Sequence, residues 1–264
     1  MDKPIIQVTD ISAHYATKPI LEKISFSMYE NTLTCILGKN GAGKSTLLSI
    51  LSKTYNHHLT ITNDDAIFIK DKPLKDFLNK EFSTILSFIP QNEQPIWNYS
   101  VYEIVAMGRY PYHNFYFSLT NTDKQIISHA LKLLELEKLQ DKFIYEISGG
   151  ELQRVYLART LCQETSIILL DEPFSHIDIY YQHILCDFLK KQCQNNKTVI
   201  MTIHDINLAA QYSDYILLLK DGKILDFGKT EKVFSEANLS HCFDCKIKIT
   251  ENPITQKKEG TIVV

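Results

Sequence analysis

Short β-rich runs open the chain. "IIQVTDISAHYA" and "ISFSMYE" partly alternate between apolar and polar positions, which predicts the strands of an N-terminal sheet. "LTCILG" is continuously apolar, the pattern of a parallel strand buried on both faces, and "KSTLLSILSKTY" follows with helical spacing. "AIFIKDKPLKDF" predicts a strand, a turn and a short helix, and "FSTILSFIPQ" a strand that ends at Pro90. The texture then turns helical through "SVYEIVAMGRY" and "TNTDKQIISHALKLLELEKL", with Thr122 or Asp123 as candidate cap of the second helix. Strand and helix alternate again in "SIILLDEP", "YYQHILCDFLKKQC", "TVIMTIHD" and "INLAAQYS". "YILLLKDGKILDFG" reads as a hairpin around Asp221-Gly222, and the tail "CKIKIT…TIVV" as a strand pair. This order predicts an α/β fold with a mostly parallel core, an N-terminal antiparallel β subdomain and a helical subdomain inserted at about 92–155. One domain is expected over 1–235, with a short C-terminal extension over 236–264.

Composition excludes more than it selects. The 264 residues are 44% hydrophobic and 22% charged, ordinary for a chain able to bury a good core. A net charge of −3 and a pI near 6.3 give no basic footprint for nucleic acid, so none is expected as a partner. The six cysteines are scattered, several inside apolar runs, as in a reduced cytosolic protein. "MDKPIIQVTD" lacks the apolar core of a signal peptide, and no segment approaches the roughly 18 uninterrupted apolar residues of a membrane span. Work at a membrane would need a partner that does the crossing.

The densest chemistry lies in "GKNGAGKST". Gly38, Gly43, Lys44 and Ser45 fit G-x-x-x-x-G-K-[ST] between a predicted strand and a predicted helix. Glycines permit close backbone approach, so the N–H groups of the loop, through Asn40 and Gly41, and the helix start can face phosphates. Lys44 is expected to reach the β and γ phosphates of a nucleotide, Ser45 to ligate Mg²⁺, and Thr46 to add a hydroxyl near the α phosphate. In "IILLDEP", Asp171 and Glu172 emerge at the carboxyl end of a buried strand, where open α/β sheets bind ligands. Asp171 is the further candidate for Mg²⁺, and Glu172 the candidate that polarises an attacking water.

At "ISGGELQR" the chain resembles the ATP-binding cassette (ABC) family, whose signature is L-S-G-G-Q or L-S-G-G-E ahead of the acidic strand. Further elements match in order. Tyr15 in "AHYATKPIL" matches the aromatic residue that stacks on adenine, and Gln91 in "FIPQ" the Q-loop glutamine, implied at both the attacking water and Mg²⁺. "FSHID" matches the D-loop with Asp178 as its acid, and His204 in "TIHD" the switch histidine. The resemblance covers roughly residues 5 to 230 and implies a P-loop NTPase (RecA-like) core. It also implies that two copies of the chain clamp ATP head to tail. The signature residues Ser148, Gly149, Gly150 and Glu151 of one copy would then face the γ phosphate held by Lys44 of the other. Two glycines ahead of the helical "ELQRVYLARTL" suit such a second anion-reading helix start.

"VAMGRYPY", "SHID" and "HDINLA" look like the ATPases that drive uptake of ferric siderophores, haem and vitamin B12. That likeness implies an ATP hydrolase, peripheral on the cytoplasmic face of the inner (plasma) membrane and soluble when isolated. Its implied partners are separate membrane permease subunits, a second copy of the chain and, indirectly, a substrate-binding protein; ferric siderophore ranks ahead of haem and vitamin B12 as cargo. The alternatives are the cassette of an ABC exporter or lipid-handling complex, or a non-transport ABC ATPase. Trp97, Tyr99, Tyr102, Tyr110, Tyr112, Phe115, Tyr116 and Phe117 crowd the stretch after Gln91, and some of Tyr99, Tyr102 and Tyr110 are expected to line a groove beside it for a permease helix. Leu152 and Phe174 replace an arginine and a threonine common in relatives, and altered packing is expected there. "KTYNHHLTITNDDAIFI" lacks the usual glycines, which predicts a different local turn. His57-His58 and "HCFDC" (His241, Cys242, Cys245) carry ligand residue types, but a lone Cys-x-x-Cys without a second pair reads as ordinary surface or core.

Overall fold

The structure is a computed structural model and describes residues 3–91, 97–113, 118–174 and 177–263. In chain order, β1 (Pro4–Tyr15), β2 (Lys18–Tyr29), β3 (Leu33–Leu37) and α1 (Lys44–Leu51) are followed by β4 (Leu59–Thr62), β5 (Ile67–Ile69), β6 (Lys72–Pro73), α2 (Asn79–Phe82) and β7 (Leu86–Ile89). Three helices come next, α3 (Val101–Ala106), α4 (Asn121–Leu133) and α5 (Gly149–Cys162). The chain returns through β8 (Ile167–Asp171), α6 (Ile179–Gln194), β9 (Thr198–Thr202), α7 (Ile206–Tyr212), β10 (Tyr215–Lys220) and β11 (Lys223–Lys229). It closes with α8 (Thr230–Val233), α9 (Glu236–Phe243), β12 (Ile247–Glu251) and β13 (Lys258–Ile262).

Two sheets carry the molecule. The N-terminal one runs β2-β1-β5-β6 with β4 also on β1, and its pairings are antiparallel. The second runs β11-β10-β3-β9-β8-β7, parallel except for the β10–β11 hairpin. Every residue of β3, β8 and β9 is buried because this sheet is covered on both faces. Strand pleating sorts the apolar run of β8: Ile167 and Leu169 join the cluster with β1, β2 and α1, while Ile168 and Leu170 join the one with α3–α7. The helices between β7 and β8 share that second cluster, as do Leu239, Cys242 and Ile247 after residue 235.

Capping boxes start all three helices of this insert: Ser100 with Glu103, Thr120 with Asp123, and Ser148 with Glu151. Thr120, rather than Thr122 or Asp123, caps α4; Asp123 is the third helical residue, and its carboxylate reaches back to the Thr120 N–H at 2.9 Å. Asp123 is also the hub of a buried network. Arg109 Nε donates to it at 2.8 Å, and the Arg109 Nη1 donates to the Cys162 carbonyl at 2.6 Å and to Glu164 at 2.8 Å. This network welds the segment after α3 onto the end of α5. In the glycine-free stretch before β7, Lys53, Asn63, Lys70 and Asp71 supply the left-handed residues. The turn at Asp221-Gly222 has φ 48° and 75°, the geometry a two-residue hairpin needs.

Candidate functional site

β3, β9 and β8 are neighbours, and their carboxyl ends bring together the phosphate-type loop, His204 and the acidic pair. The loop leaves β3 at Gly38. A Cβ there would lie 2.2 Å from the Leu219 carbonyl oxygen, so glycine lets the loop seat on the end of β10. Gly43, at φ 103°, caps α1, and a Cβ there would strike Leu21 at 2.7 Å. Lys44 is buried; its Nζ donates to the carbonyls of Gly38 at 2.8 Å and Lys39 at 3.2 Å. Burial lowers the Lys44 pKa, against the opposing pull of Glu172 and Asp171.

The acidic pair is held from β9. Asp171 is buried opposite Thr202 in the parallel ladder, and the Thr202 hydroxyl donates to Asp171 Oδ1 at 2.6 Å. The Thr202 hydroxyl oxygen in turn accepts the Glu172 backbone N–H at 2.9 Å. That bond fixes Glu172 at φ 49°, a left-handed conformation that costs about 1–2 kcal/mol for a residue with a Cβ. The turn aims the Glu172 carboxylate at two side chains: Gln91 Nε2 donates to Oε2 at 2.5 Å, and His204 Nε2 lies 2.6 Å from Oε1. Burial raises the Asp171 pKa, while hydrogen bonds from Thr202 and Ser45 lower it.

A cleft of about 620 Å³ gathers Asn40, Gly41, Gly43, Lys44, Ser45, Thr46, Gln91, Glu172 and His204. It adjoins, at Ser45 and Thr46, a groove of about 710 Å³ that Tyr15 and Asp171 line. Ser45 and Asp171 both line the 710 Å³ groove, and a hydroxyl with a carboxylate is an all-oxygen donor pair of the kind Mg²⁺ takes. The loop backbone at Asn40, Gly41 and Gly43 lines this cleft ahead of the start of α1, a setting that suits phosphate. The arrangement can therefore hold a nucleotide triphosphate with a hard divalent cation and present Glu172, Gln91 and His204 to a water on its far phosphate.

The signature residues stand elsewhere. Ser148, Gly149, Gly150 and Glu151 form the start of α5, and none lines either cavity. There the Glu151 carboxylate accepts the Ser148 N–H at 2.7 Å and its hydroxyl at 2.8 Å. Asp178 caps α6 through Tyr181 N–H at 3.1 Å; Ser175 and His176 of the same motif lie outside the described residues. Among the described residues, Tyr99, Tyr102 and Tyr110 line neither of these two cavities. The 710 Å³ groove reaches Pro90, next to Gln91, between Phe82, Leu86, Phe88, Arg159 and Gln163. Tyr99 and Tyr102 pack against the helical core instead, and Tyr110 is exposed. Phe115, Tyr116 and Phe117 lie outside the described residues. Phe174 is buried in the core and Leu152 packs against it. Among the described residues no group of three or more His, Cys, Asp or Glu is placed to hold a metal ion; the His57 and His58 rings face each other and Cys242 is buried.

Thr202 went unread in the sequence. It ends an apolar strand and shares no motif with Asp171 and Glu172, so only the strand pairing shows what its hydroxyl does.

Comparison with known proteins agrees with this geometry. The ABC transporter family model matches residues 21–175. The petrobactin import ATP-binding protein YclP of Bacillus subtilis (strain 168) is 34% identical over 246 residues, 93% of this chain and 95% of the relative. The iron(3+)-hydroxamate import ATP-binding protein FhuC of the same organism is 30% identical over 244 residues, covering 92% of this chain and 89% of its own. Among solved structures, an inward-facing transporter described as metal-chelate type aligns with TM-score 0.81 and 25% identity, over 99% of this chain and 98% of that one.

Proposed function

The chain belongs to the ABC transporter family of ATP-binding proteins, and from that premise we propose that it powers import of a ferric siderophore through separate membrane permease subunits. The observation that carries the chemistry is the Glu172 carboxylate, held between Gln91 and His204 beside the phosphate loop. The cargo class rests on the petrobactin and iron(3+)-hydroxamate import relatives. No described helix is long and apolar enough to cross a membrane, which accords with permease subunits as separate chains and with a peripheral place on the cytoplasmic face.

In this reading Tyr15 offers its ring to adenine, Lys44 gives up its carbonyl partners for the β and γ phosphates, and Thr46 reaches the α phosphate. Ser45 and Asp171, with Gln91 nearby, would hold Mg²⁺, which would supply positive charge against the phosphate oxygens. Glu172 accepts a proton from the attacking water, and Gln91 and His204 fix which carboxylate oxygen faces it. His204 is half-exposed while Glu172 is nearly covered, so the base is shielded and its partner can meet a closing surface. That surface is a second copy, which brings Ser148, Gly149, Gly150 and Glu151 to the γ phosphate and Asp178 beside the same interface. The start of α5 supports this: Ser148 and Gly149 are exposed and do not line the chain's own cleft, so a helix N-terminus is open to a second copy. The groove at Phe82, Phe88 and Pro90 joins the cleft at Ser45 and Thr46, and it is the proposed seat of a permease helix. Proteoliposomes holding the permease, with a loaded substrate-binding protein outside and this chain with ATP inside, test the reading. Ferric siderophore uptake that stops in Glu172→Gln is expected; uptake of haem or cobalamin alone would refute the cargo.

A further inference from the structure

Beyond the family-matched segment, the chain turns back onto the phosphate loop. Helix α9 ends at Asp244, whose backbone adopts φ 51°. That turn aims its carboxylate at lysines from two other elements: Lys39 Nζ donates to Oδ2 at 2.8 Å, and Lys220 Nζ to Oδ1 at 2.5 Å. Lys220 also donates to the His241 carbonyl at 2.6 Å, in the last turn of the same helix. The two ammonium groups hold the Asp244 carboxyl down to about 2, so it stays ionised at any working pH. Beneath this cluster, the Cys242 thiol lies 3.8 Å from the Leu219 carbonyl, the same carbonyl on which Gly38 is seated. The loop and α9 therefore share one floor and are joined above it by Lys39 and Asp244.

Lys39 is the second residue of the loop. Its neighbours Asn40, Gly41, Gly43 and Lys44 line the nucleotide cleft, but Lys39 does not. Its side chain goes to Asp244 while its carbonyl serves the loop, accepting Lys44 Nζ and the Ala42 N–H, both at 3.2 Å. Lys39 thus shares with Gly38 in placing the Lys44 ammonium and closes the turn behind it.

We propose that Asp244 is a positioning residue for ATP: through Lys39 it holds the phosphate loop in its receptive shape, so the segment after residue 235 is a working part of the nucleotide site. This rests on the reading that the loop holds ATP phosphates. The pair is half-exposed, so its strength is modest and screened by salt; the expected gain in ATP affinity is about two- to fivefold. It falls on binding rather than on the chemical step, because Glu172, Gln91 and His204 are aimed from β7, β8 and β9 and not through α9.

The test is titration calorimetry with Mg·ATP on the full chain, with KM and kcat from steady-state hydrolysis. Asp244→Ala should raise Kd and KM by about two- to fivefold at unchanged kcat. Lys39→Met should do the same, the double variant should be no weaker than Lys39→Met alone, and Asp244→Glu should recover most of the affinity. Salt at about 0.5 M should erase the difference between wild type and Asp244→Ala. Wild-type affinity in Asp244→Ala overturns the proposal, as does a lowered melting temperature with Kd unchanged, or full additivity of the two losses. A wild type that binds no ATP would instead remove the functional reading itself.

Discussion

Thr202→Val removes one oxygen from a fully buried site and keeps the side-chain shape. In the native structure that oxygen gives a hydrogen bond to the Asp171 carboxylate and takes one from the Glu172 N–H. A hydrogen bond to a charged acceptor contributes about 1.5–3 kcal/mol, and an N–H left without a partner costs about 1–3 kcal/mol. Glu172 as a whole is not fully buried, so the sum sits near the low ends, about 3 kcal/mol. For a chain of this size that is a fall of about 6–12 °C in melting temperature, out of a stability of about 5–15 kcal/mol. The chain stays folded, which makes the kinetic effect readable. Without the Thr202 hydroxyl, Glu172 loses the backbone hydrogen bond that supports φ 49°, and its carboxylate shifts from the position in which it should orient water; a displacement of about 1 Å lowers kcat about 100-fold. Thr202→Ser keeps the hydroxyl and should keep most of the activity. Thermal melts and steady-state ATP hydrolysis on the three proteins decide it. Wild-type kcat in Thr202→Val, or equal losses in Thr202→Val and Thr202→Ser, would refute the reasoning.

Other expectations follow from the same geometry. Burial raises the Asp171 pKa above its ordinary 3.8, so the stability its proton contributes is present below that value and lost as pH rises through the raised one; Asp171→Asn should flatten this part of a melting curve taken from about pH 4 to pH 8, while abolishing Mg²⁺-dependent hydrolysis. The Glu151 carboxyl is held below its ordinary 4.5 by the N–H and hydroxyl of Ser148, so its contribution is present above 4.5 and lost as pH falls through the lowered value; Glu151→Ala should remove that acid-side slope and cost about 1 kcal/mol in a denaturant titration. Arg109→Met removes the cation from the buried Asp123 carboxylate, which keeps Thr120 and His113 as partners, and should cost about 3 kcal/mol, the low end for a broken buried pair, measured in the same way, with Asp123→Asn on that background recovering part of the loss.

What was legible in the sequence is what depends on neighbours along the chain. The apolar runs of β3, β8 and β9 are readable because a strand covered on both faces has no polar side to show. The loop after β3 is readable because G-x-x-x-x-G-K-[ST] is contiguous between a strand and a helix, whereas the contacts with Leu219 and Leu21 that require its glycines are met only in the fold. The cap of α4 was misplaced by a turn's first residues: T-x-x-D closes a box as T-x-x-E does, and its reciprocal bond identifies Thr120 rather than Thr122 or Asp123. The turns of the glycine-free stretch fall to Lys53, Asn63, Lys70 and Asp71, two of them lysines that carry no turn signal. Tyr99 and Tyr102 are aromatic for the helical core they pack against, and aromatic density alone does not tell a core from a docking face. Thr202 and Asp244 were illegible because their partners, Asp171 and Lys39, are far away in sequence and are met only through strand order and the return of α9.

In the proposed assembly half of each nucleotide site comes from another copy of the chain, and the mass of the hydrolysis-deficient protein tests that most directly. Light scattering on Glu172→Gln should show a monomer without nucleotide and a dimer with Mg·ATP. Adding Ser148→Arg, which puts bulk and charge at the exposed start of α5 and leaves the phosphate loop untouched, should keep the protein monomeric while it still binds ATP. A Glu172→Gln chain that binds ATP and stays monomeric, or a dimer indifferent to Ser148→Arg, would contradict the account.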